Sequence, residues 1–416
     1  MRLTRRSFLA LCASIPLLSK GLVPSARADE TTLTLRGRVL SPDGARFFPG
    51  EIRLCGPVIN AVEPAPFPAR EPKNILDLGD AHILPGVINA HLHNAHSPEE
   101  RRSLFLAQGV TTVCDMGAPL TALPLLSEDA TPSGLPTASA IFAGPVLTIP
   151  GAYPAPLHGA EYALAVSGPA QARQGVEQLR ELGASIIKIA LEPGYPSNPW
   201  PVPDAAFIRA VTETAHSLGM LVRAHVEDLS VLSLAVDNQV DAVEHTCFRW
   251  TEDNREKPLF TGDPDNPDIP ESYLRCLRRM ADNGIAMVPT LEAATRSLWN
   301  NAGPLAVIRR FKEMGGRIAL GTDYPFQGVS PGMPLREMEL LGEAGLSPRD
   351  ILLAATREAA AVCNAQDELG ILAPGARADL IVVQGDPLAD PAALARPLLV
   401  LKNGRIAFDF RSSRSA

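Results

Sequence analysis

The chain begins without an apolar run long enough to anchor it in a bilayer. The stretch from Phe8 to Leu18 falls well short of the roughly 20 residues that a spanning helix needs. Cysteine is scarce, six residues in 416, with wide spacings and no C-x-x-C. That excludes a disulfide framework and a thiolate zinc site, and leaves the thiols as buried small apolar groups. Positive charge is also short, with 38 basic residues against 46 acidic ones. Five of the basic residues (Arg2, Arg5, Arg6, Lys20, Arg27) fall in the first 28 positions, where there is no acid. The remainder carries 33 basic against 46 acidic residues, a balance of −13. Such a surface argues against nucleic acids and anionic membranes as partners and leaves a small-molecule substrate. Neither internal repeats nor low-complexity segments occur.

What is present divides the chain. Residues 1–28 read as a twin-arginine export signal: Thr4-Arg5-Arg6-Ser7-Phe8-Leu9, the short apolar run, then Ala26-Arg27-Ala28 as a small-residue cleavage site. The expected partner is the twin-arginine translocation machinery and the expected location is periplasmic or extracellular, with no membrane anchor. Residues 29–84 alternate short β-type runs with Pro/Gly turns, predicting a small antiparallel sheet. From 85 to 366, apolar strands alternate with amphipathic helices, predicting a parallel α/β architecture. Eight strands are expected: 84–93, 111–115, 138–142, 185–190, 221–226, 242–245, 286–290 and 317–323. Helices fall at 97–108, opened by the capping box Ser97-x-x-Glu100, then at 169–182, 204–218, 228–238, 271–283 and 303–314, with a last pair over 334–363. Eight such units predict a (β/α)8 TIM barrel. Residues 367–416 return to β texture, and the two ends are expected to join in a β-sandwich beside the barrel.

The chemistry gathers around Pro85-Gly86-Val87-Ile88-Asn89-Ala90-His91-Leu92-His93. On a strand alternate side chains share a face, so His91 and His93 point the same way. Three further candidates end predicted strands: His225, His245 and Asp323. Barrel enzymes place their reacting groups at that end. Ala319, Gly321 and Asp323 share strand parity, so small residues leave room beside the carboxylate. Four of the chain's eight histidines occupy these positions, which points to a metal site rather than scattered core histidines. Lys188 interrupts the apolar run Ser185-Ile186-Ile187-Lys188-Ile189-Ala190. A lysine there either snorkels to the barrel mouth or loses its charge through burial, and a neutral amine adds carbon dioxide to become a carbamate.

With those motifs in hand, the sequence resembles the metal-dependent amidohydrolase superfamily, in its imidazolonepropionase-like and Xaa-Pro dipeptidase (prolidase-like) branch. The resemblance runs from about 33 to 408. It includes Gly109-Val110-Thr111-Thr112-Val113-x-Asp115-Met116-Gly117, Gly370-x-x-x-Pro374-Gly375-x-x-Ala378-Asp379-Leu380 and Lys402-Asn403-Gly404. It implies two divalent metal ions, zinc expected, with His91, His93 and Asp323 on one and His225 and His245 on the other. Carbamylated Lys188 and a hydroxide would bridge them, and Asp323 would carry the proton to the leaving nitrogen.

Asn89 departs from the aspartate usual in that family, and Tyr153 stands where relatives often carry histidine. Tyr153, His158 and Tyr324 are candidate substrate contacts. The acidic, proline-rich stretch 246–270 reads as a surface loop or a lid, in which Arg249 would hold a substrate carboxylate. The expected activity is hydrolysis of an amide-type C–N bond in a dipeptide or N-acyl amino acid. Lactone, ester or cyclic-amide hydrolysis, or a catalytically silent binding barrel, are the alternatives; a homo-oligomer is compatible with either.

Overall fold

The structure is a computed structural model that describes residues 32–65, 74–96, 100–127, 134–253, 255–297 and 301–412. The expected export segment and Ser97 of the expected capping box lie outside the described residues. No helix among the described residues is long and apolar enough to cross a membrane.

Four early strands open the fold: β1 (Thr32–Leu40), β2 (Phe47–Cys55), β3 (Val58–Pro64) and β4 (Ile75–Pro85). The sheet they start is mixed rather than antiparallel. β1 pairs antiparallel with β2 but parallel with β4, with Leu35 opposite Leu76. A long connection separates β1 from β4, and that permits the parallel pairing.

The parallel part follows. β5 (Val87–Leu92), β6 (Val110–Asp115) and β7 (Ser139–Phe142) form one ladder. β8 (Val146–Thr148), β9 (Ala163–Ala165), β10 (Ile186–Ala190), β11 (Leu221–His225), β12 (Ala242–Glu244) and β13 (Ala286–Val288) form a second, in the order β13-β12-β11-β10-β8-β9. Most of these strands are buried on both faces, as strands sandwiched under helices must be. The helices lie close to their expected bounds, for example Gly168–Glu181 and Ala205–Ser217.

Three expectations need correction. The segment 317–323 is not a continuous strand, although its backbone bonds to both ladders: Ala319 N donates to Met287 O and Ala90 N to Leu320 O, each at 2.9 Å. Between β7 and β8 the chain turns through Gly144, at φ +72°, and no ladder joins them, so the described hydrogen bonds do not close a ring. The expected helix pair over 334–363 is three helices, Leu335–Glu343, Pro348–Ala354 and Arg357–Val362, because Gly345 (φ +96°) and Thr356 interrupt it. The stretch 246–270 is also more than a plain loop, since it carries two short hairpins, one between 251 and 256 and one between 261 and 268.

The last strands, β14 (Leu380–Val383), β15 (Pro397–Lys402) and β16 (Arg405–Asp409), return to the first sheet. β14 pairs antiparallel with β4, Val382 opposite Ile83. The two ends of the chain therefore meet, but in a single seven-stranded sheet, β16-β15-β14-β4-β1-β2-β3, where two stacked sheets were expected. Asp379 ties this region together. It accepts from Lys402 Nζ at 2.7 Å, Asn403 N at 2.8 Å and Arg377 at 2.6 Å.

The β15–β16 turn has Asn403 at φ +51° and Gly404 at φ +72°, the pair of left-handed residues that a two-residue hairpin of matching twist requires. A Cβ on Gly404 would lie 1.8 Å from the backbone oxygen of Gly56. We expect Gly404→Ala to cost about 2 kcal/mol or more and to lower the melting temperature by several degrees. An unchanged melting curve would show that the turn does not need glycine.

Candidate active site

Parity on β5 sends His91 into the interior, and His93, just past the strand end, follows it. Their Nε2 atoms lie 3.3 Å apart, and each is 3.2 Å from Asp323 Oδ1. A Cβ on Gly321 would meet His91 Cβ at 2.6 Å, so the small residue before Asp323 is what admits this packing. His225 ends β11 and His245 follows β12, with ring centroids 4.7 Å apart; the His91 and His245 centroids are 5.0 Å apart. His91, His245 and Asp323 form one group of ligand atoms within 4.8 Å of one another, and His225, Glu227 and His245 form another.

The second layer fixes these rings. His91 Nδ1–H donates to Glu244, which leaves Nε2 as a lone pair facing Asp323. Glu244 in turn accepts from Arg223 Nε at 2.6 Å, and Arg223 also donates to Ala90 O at 2.9 Å. His245 Nδ1 is 2.7 Å from Thr290 Oγ1. Asn89, the departure from the usual aspartate, bridges to Thr322: its amide donates to Thr322 Oγ1 at 2.8 Å and its carbonyl accepts from Thr322 N at 3.2 Å.

The electrostatics match a cation site. Burial pushes the His91 and His245 imidazoles down, so both are neutral, the form that ligates metal. Burial works against the Asp323 carboxylate, but the His91 and His93 rings beside it outweigh that and hold the group well below the usual range. Burial lowers Lys188 to about 8, with Arg223 assisting and Glu244 opposing. Lys188 is buried and lines the same cavity, of about 560 Å³, as His93, His225, His245 and Asp323. Within it, His225 Nε2 and Asp323 Oδ1 are buried atoms without a hydrogen-bond partner. Leaving such atoms unsatisfied is costly, and a divalent cation among them removes that cost. The nitrogen and carboxylate donors suit zinc-type ions.

The candidate substrate contacts separate. Tyr153 and His158 both line the cavity, Tyr153 Oη lying 3.1 Å from His158 Nε2 and its ring stacking 4.6 Å from that of His225. Tyr324 is not among the cavity's lining residues. Its ring packs on Phe105 and its hydroxyl accepts from Arg101 at 2.9 Å. Arg249 is also outside the lining: its guanidinium is paired with Glu192, donates to Gly194 O at 3.0 Å and lies over Tyr195. Its two terminal nitrogens are therefore engaged within the protein.

Sequence reasoning passed over Glu192, Arg223, Glu227, Glu244, Thr290 and Glu337. The signal for Arg223 and Glu244 was a charged residue inside an apolar strand, the same signal that singled out Lys188. Glu337 gave none. Its two carboxylate oxygens accept from Leu291 N at 3.0 Å and Glu292 N at 2.6 Å, pinning the turn that carries Thr290.

Two outcomes follow from this layer. Glu244→Ala should lower metal affinity about 10- to 100-fold. Glu244→Gln, which keeps an acceptor for His91, should recover part of it; occupancy unchanged in Glu244→Ala, measured by metal titration, would refute the assignment. Burial pushes Glu337 up to about 8. The folded state thus holds a proton that the unfolded state releases, and stability falls as pH rises from the ordinary carboxylate range to about 8. Glu337→Gln should flatten the fall in melting temperature between pH 5 and 8, and equal slopes in both proteins would count against it.

Comparison with known proteins adds the following. The model of the amidohydrolase family matches residues 82–407. Imidazolonepropionase of Symbiobacterium thermophilum is 29% identical over 179 residues, 42% of this chain and 36% of that protein, so the chain spans about a third of this relative's length. A Xaa-Pro dipeptidase crystallised with methionine in its active site superposes with a TM-score of 0.72 at 23% identity, over 90% of this chain and 99% of that one. The ochratoxinase of A. niger gives 0.71 at 17% identity, over 92% and 96%.

Proposed function

From the premise that this chain belongs to the amidohydrolase family, we propose that it is a two-metal hydrolase that cleaves an amide-type C–N bond in a small molecule. The observation that carries this is the convergence of His93, His225, His245, Lys188 and Asp323 on one cavity, with His91 against Asp323 behind its wall and buried nitrogen and oxygen atoms left unpartnered there. We read the parallel strands as an eight-stranded barrel, an interpretation supported by the backbone bonds that 317–324 makes to both ladders.

His91, His93 and Asp323 would hold one ion and His225 and His245 the other, zinc being the ion that suits these donors. Two divalent ions, when bound, acidify water to a nucleophile at neutral pH and polarise a carbonyl. Lys188 contributes through its buried amine: the neutral nitrogen adds to carbon dioxide, a proton leaves, and the side chain becomes a carbamate with two oxygens. Its lowered basicity supports that step at neutral pH. Asp323 Oδ1, fixed between two imidazoles, takes the proton released by water and returns it to the leaving nitrogen. Glu244 and Thr290 hold His91 and His245 in the tautomers that present Nε2. Dipeptides and N-acyl amino acids are the first classes to test. The basic, twin-arginine N-terminus supports export before or after cleavage near Ala28.

Elemental analysis of the full chain should find about two ions per chain, and chelation should abolish amide hydrolysis. Lys188→Ala should lose both metal and activity, with partial return on adding a short carboxylate such as propionate. Wild-type activity in Lys188→Ala with no added carboxylate would dispose of the bridge. A metal-free chain that hydrolyses amides would dispose of the mechanism.

A further inference from the structure

The walls of the cavity are unequal in charge. They are largely aromatic, with Tyr153, Tyr162, Tyr195, Phe248 and Phe326 among them. Once the five lining groups assigned to metal (His93, Lys188, His225, His245 and Asp323) are set aside, Glu227 is the one formally charged side chain among the described lining residues. Its carboxylate lies 4.0 Å from His225 Nε2 and makes no hydrogen bond among the described residues. Its carbonyl accepts from Phe248 N at 3.1 Å and Arg249 N at 3.2 Å, which fixes its backbone in the loop after β11. Arg249, which lies over lining residue Tyr195, has its terminal nitrogens on Glu192 and Gly194, and Arg296, on the helix that carries lining Ala293 and Ala294, is paired with Glu292. Lys188, carbamylated in the reading above, offers an anion rather than a cation.

Away from the two ions assigned to it, an aromatic cavity whose described lining offers one unpaired carboxylate and no cationic side chain favours N–H donors and ammonium groups over anions. We infer that the substrates are aryl or alkyl amides without a free carboxylate, neutral or cationic, and that Glu227 is the residue that selects them. This rests on the amide-hydrolase reading and narrows it away from dipeptides and N-acyl amino acids, both of which carry a carboxylate.

The test uses the zinc-loaded full chain and three acetanilides that differ only at the para position: methyl, aminomethyl and carboxylate. The first two should exceed the third in kcat/KM by about tenfold or more, the scale expected for like charges brought together in a partly desolvated site. Glu227→Gln should close most of that gap, chiefly through KM, with metal content unchanged. The corresponding methanesulfonanilides, which are not hydrolysed, should bind in the same order by calorimetry. Equal or better use of the carboxylate, a gap that survives Glu227→Gln, or loss of metal in Glu227→Gln would each overturn the inference, the last by making Glu227 a ligand. If no acetanilide is cleaved, the amide reading fails, while the binding order still decides this one.

Discussion

The site depends on a chain of charge buried in the core, Arg223 to Glu244 to His91. All three side chains are fully shielded from solvent. A carboxylate in such a place is tolerable only when its partners are well aligned, and Glu244 has both: two guanidinium nitrogens on one side and an imidazole N–H on the other. Removing one partner from a pair of this kind costs about 3–5 kcal/mol, because the other charge stays buried. Arg223 also donates to Ala90 O and Val362 O, so the same group that neutralises Glu244 ties β5 and the last helix to β11. The register of the strands follows from these bonds. With His225 opposite Glu244 and Lys188 opposite Arg223, each ligand side chain has a fixed height.

Above that layer the balance changes. The lower layer is self-neutralising, whereas the upper one holds neutral imidazoles, a poorly basic lysine and an ionised aspartate that lack sufficient donors for one another. A protein interior that satisfies its polar atoms so thoroughly in one layer and leaves them open in the next is organised around a ligand that supplies positive charge. The difference between layers is the physical content of the metal assignment, and it does not rely on the spacing of the histidines.

That spacing was nonetheless legible. Strand parity and strand ends alone were enough to bring out His91, His93, His225, His245 and Asp323, because each lies where an apolar run stops. Arg249 was misjudged because its partner, Glu192, is 57 residues away and nothing local announces it. Tyr324 was misjudged as well. Asp323 leaves extended geometry at φ +58°, and the next side chain, Tyr324, packs toward Phe105 and Arg101. The mixed sheet was hidden for a different reason: β1 and β4 are adjacent in space only because β2 and β3 pack on the far side of β1, a choice of topology that local sequence does not encode.

The expected strands 242–245 and 286–290 ran too far and 317–323 forms no continuous strand, and each segment ends on a residue in the left-handed region: His245 at φ +68°, Thr290 at +48°, Asp323 at +58°. None is glycine, and such residues cost about 1–3 kcal/mol each unless their surroundings dictate the conformation. Here the surroundings do. His245 N donates to Val288 O, and both Thr322 N and Asp323 N converge on His91 O. The left-handed turn lifts the side chain out of the strand's alternation and swings it over the end of the ladder, where an extended residue would point into a neighbouring strand or into the helices. An apolar run that keeps its pattern up to a polar residue and then breaks backbone geometry on that residue marks the place where folding gave way to chemistry.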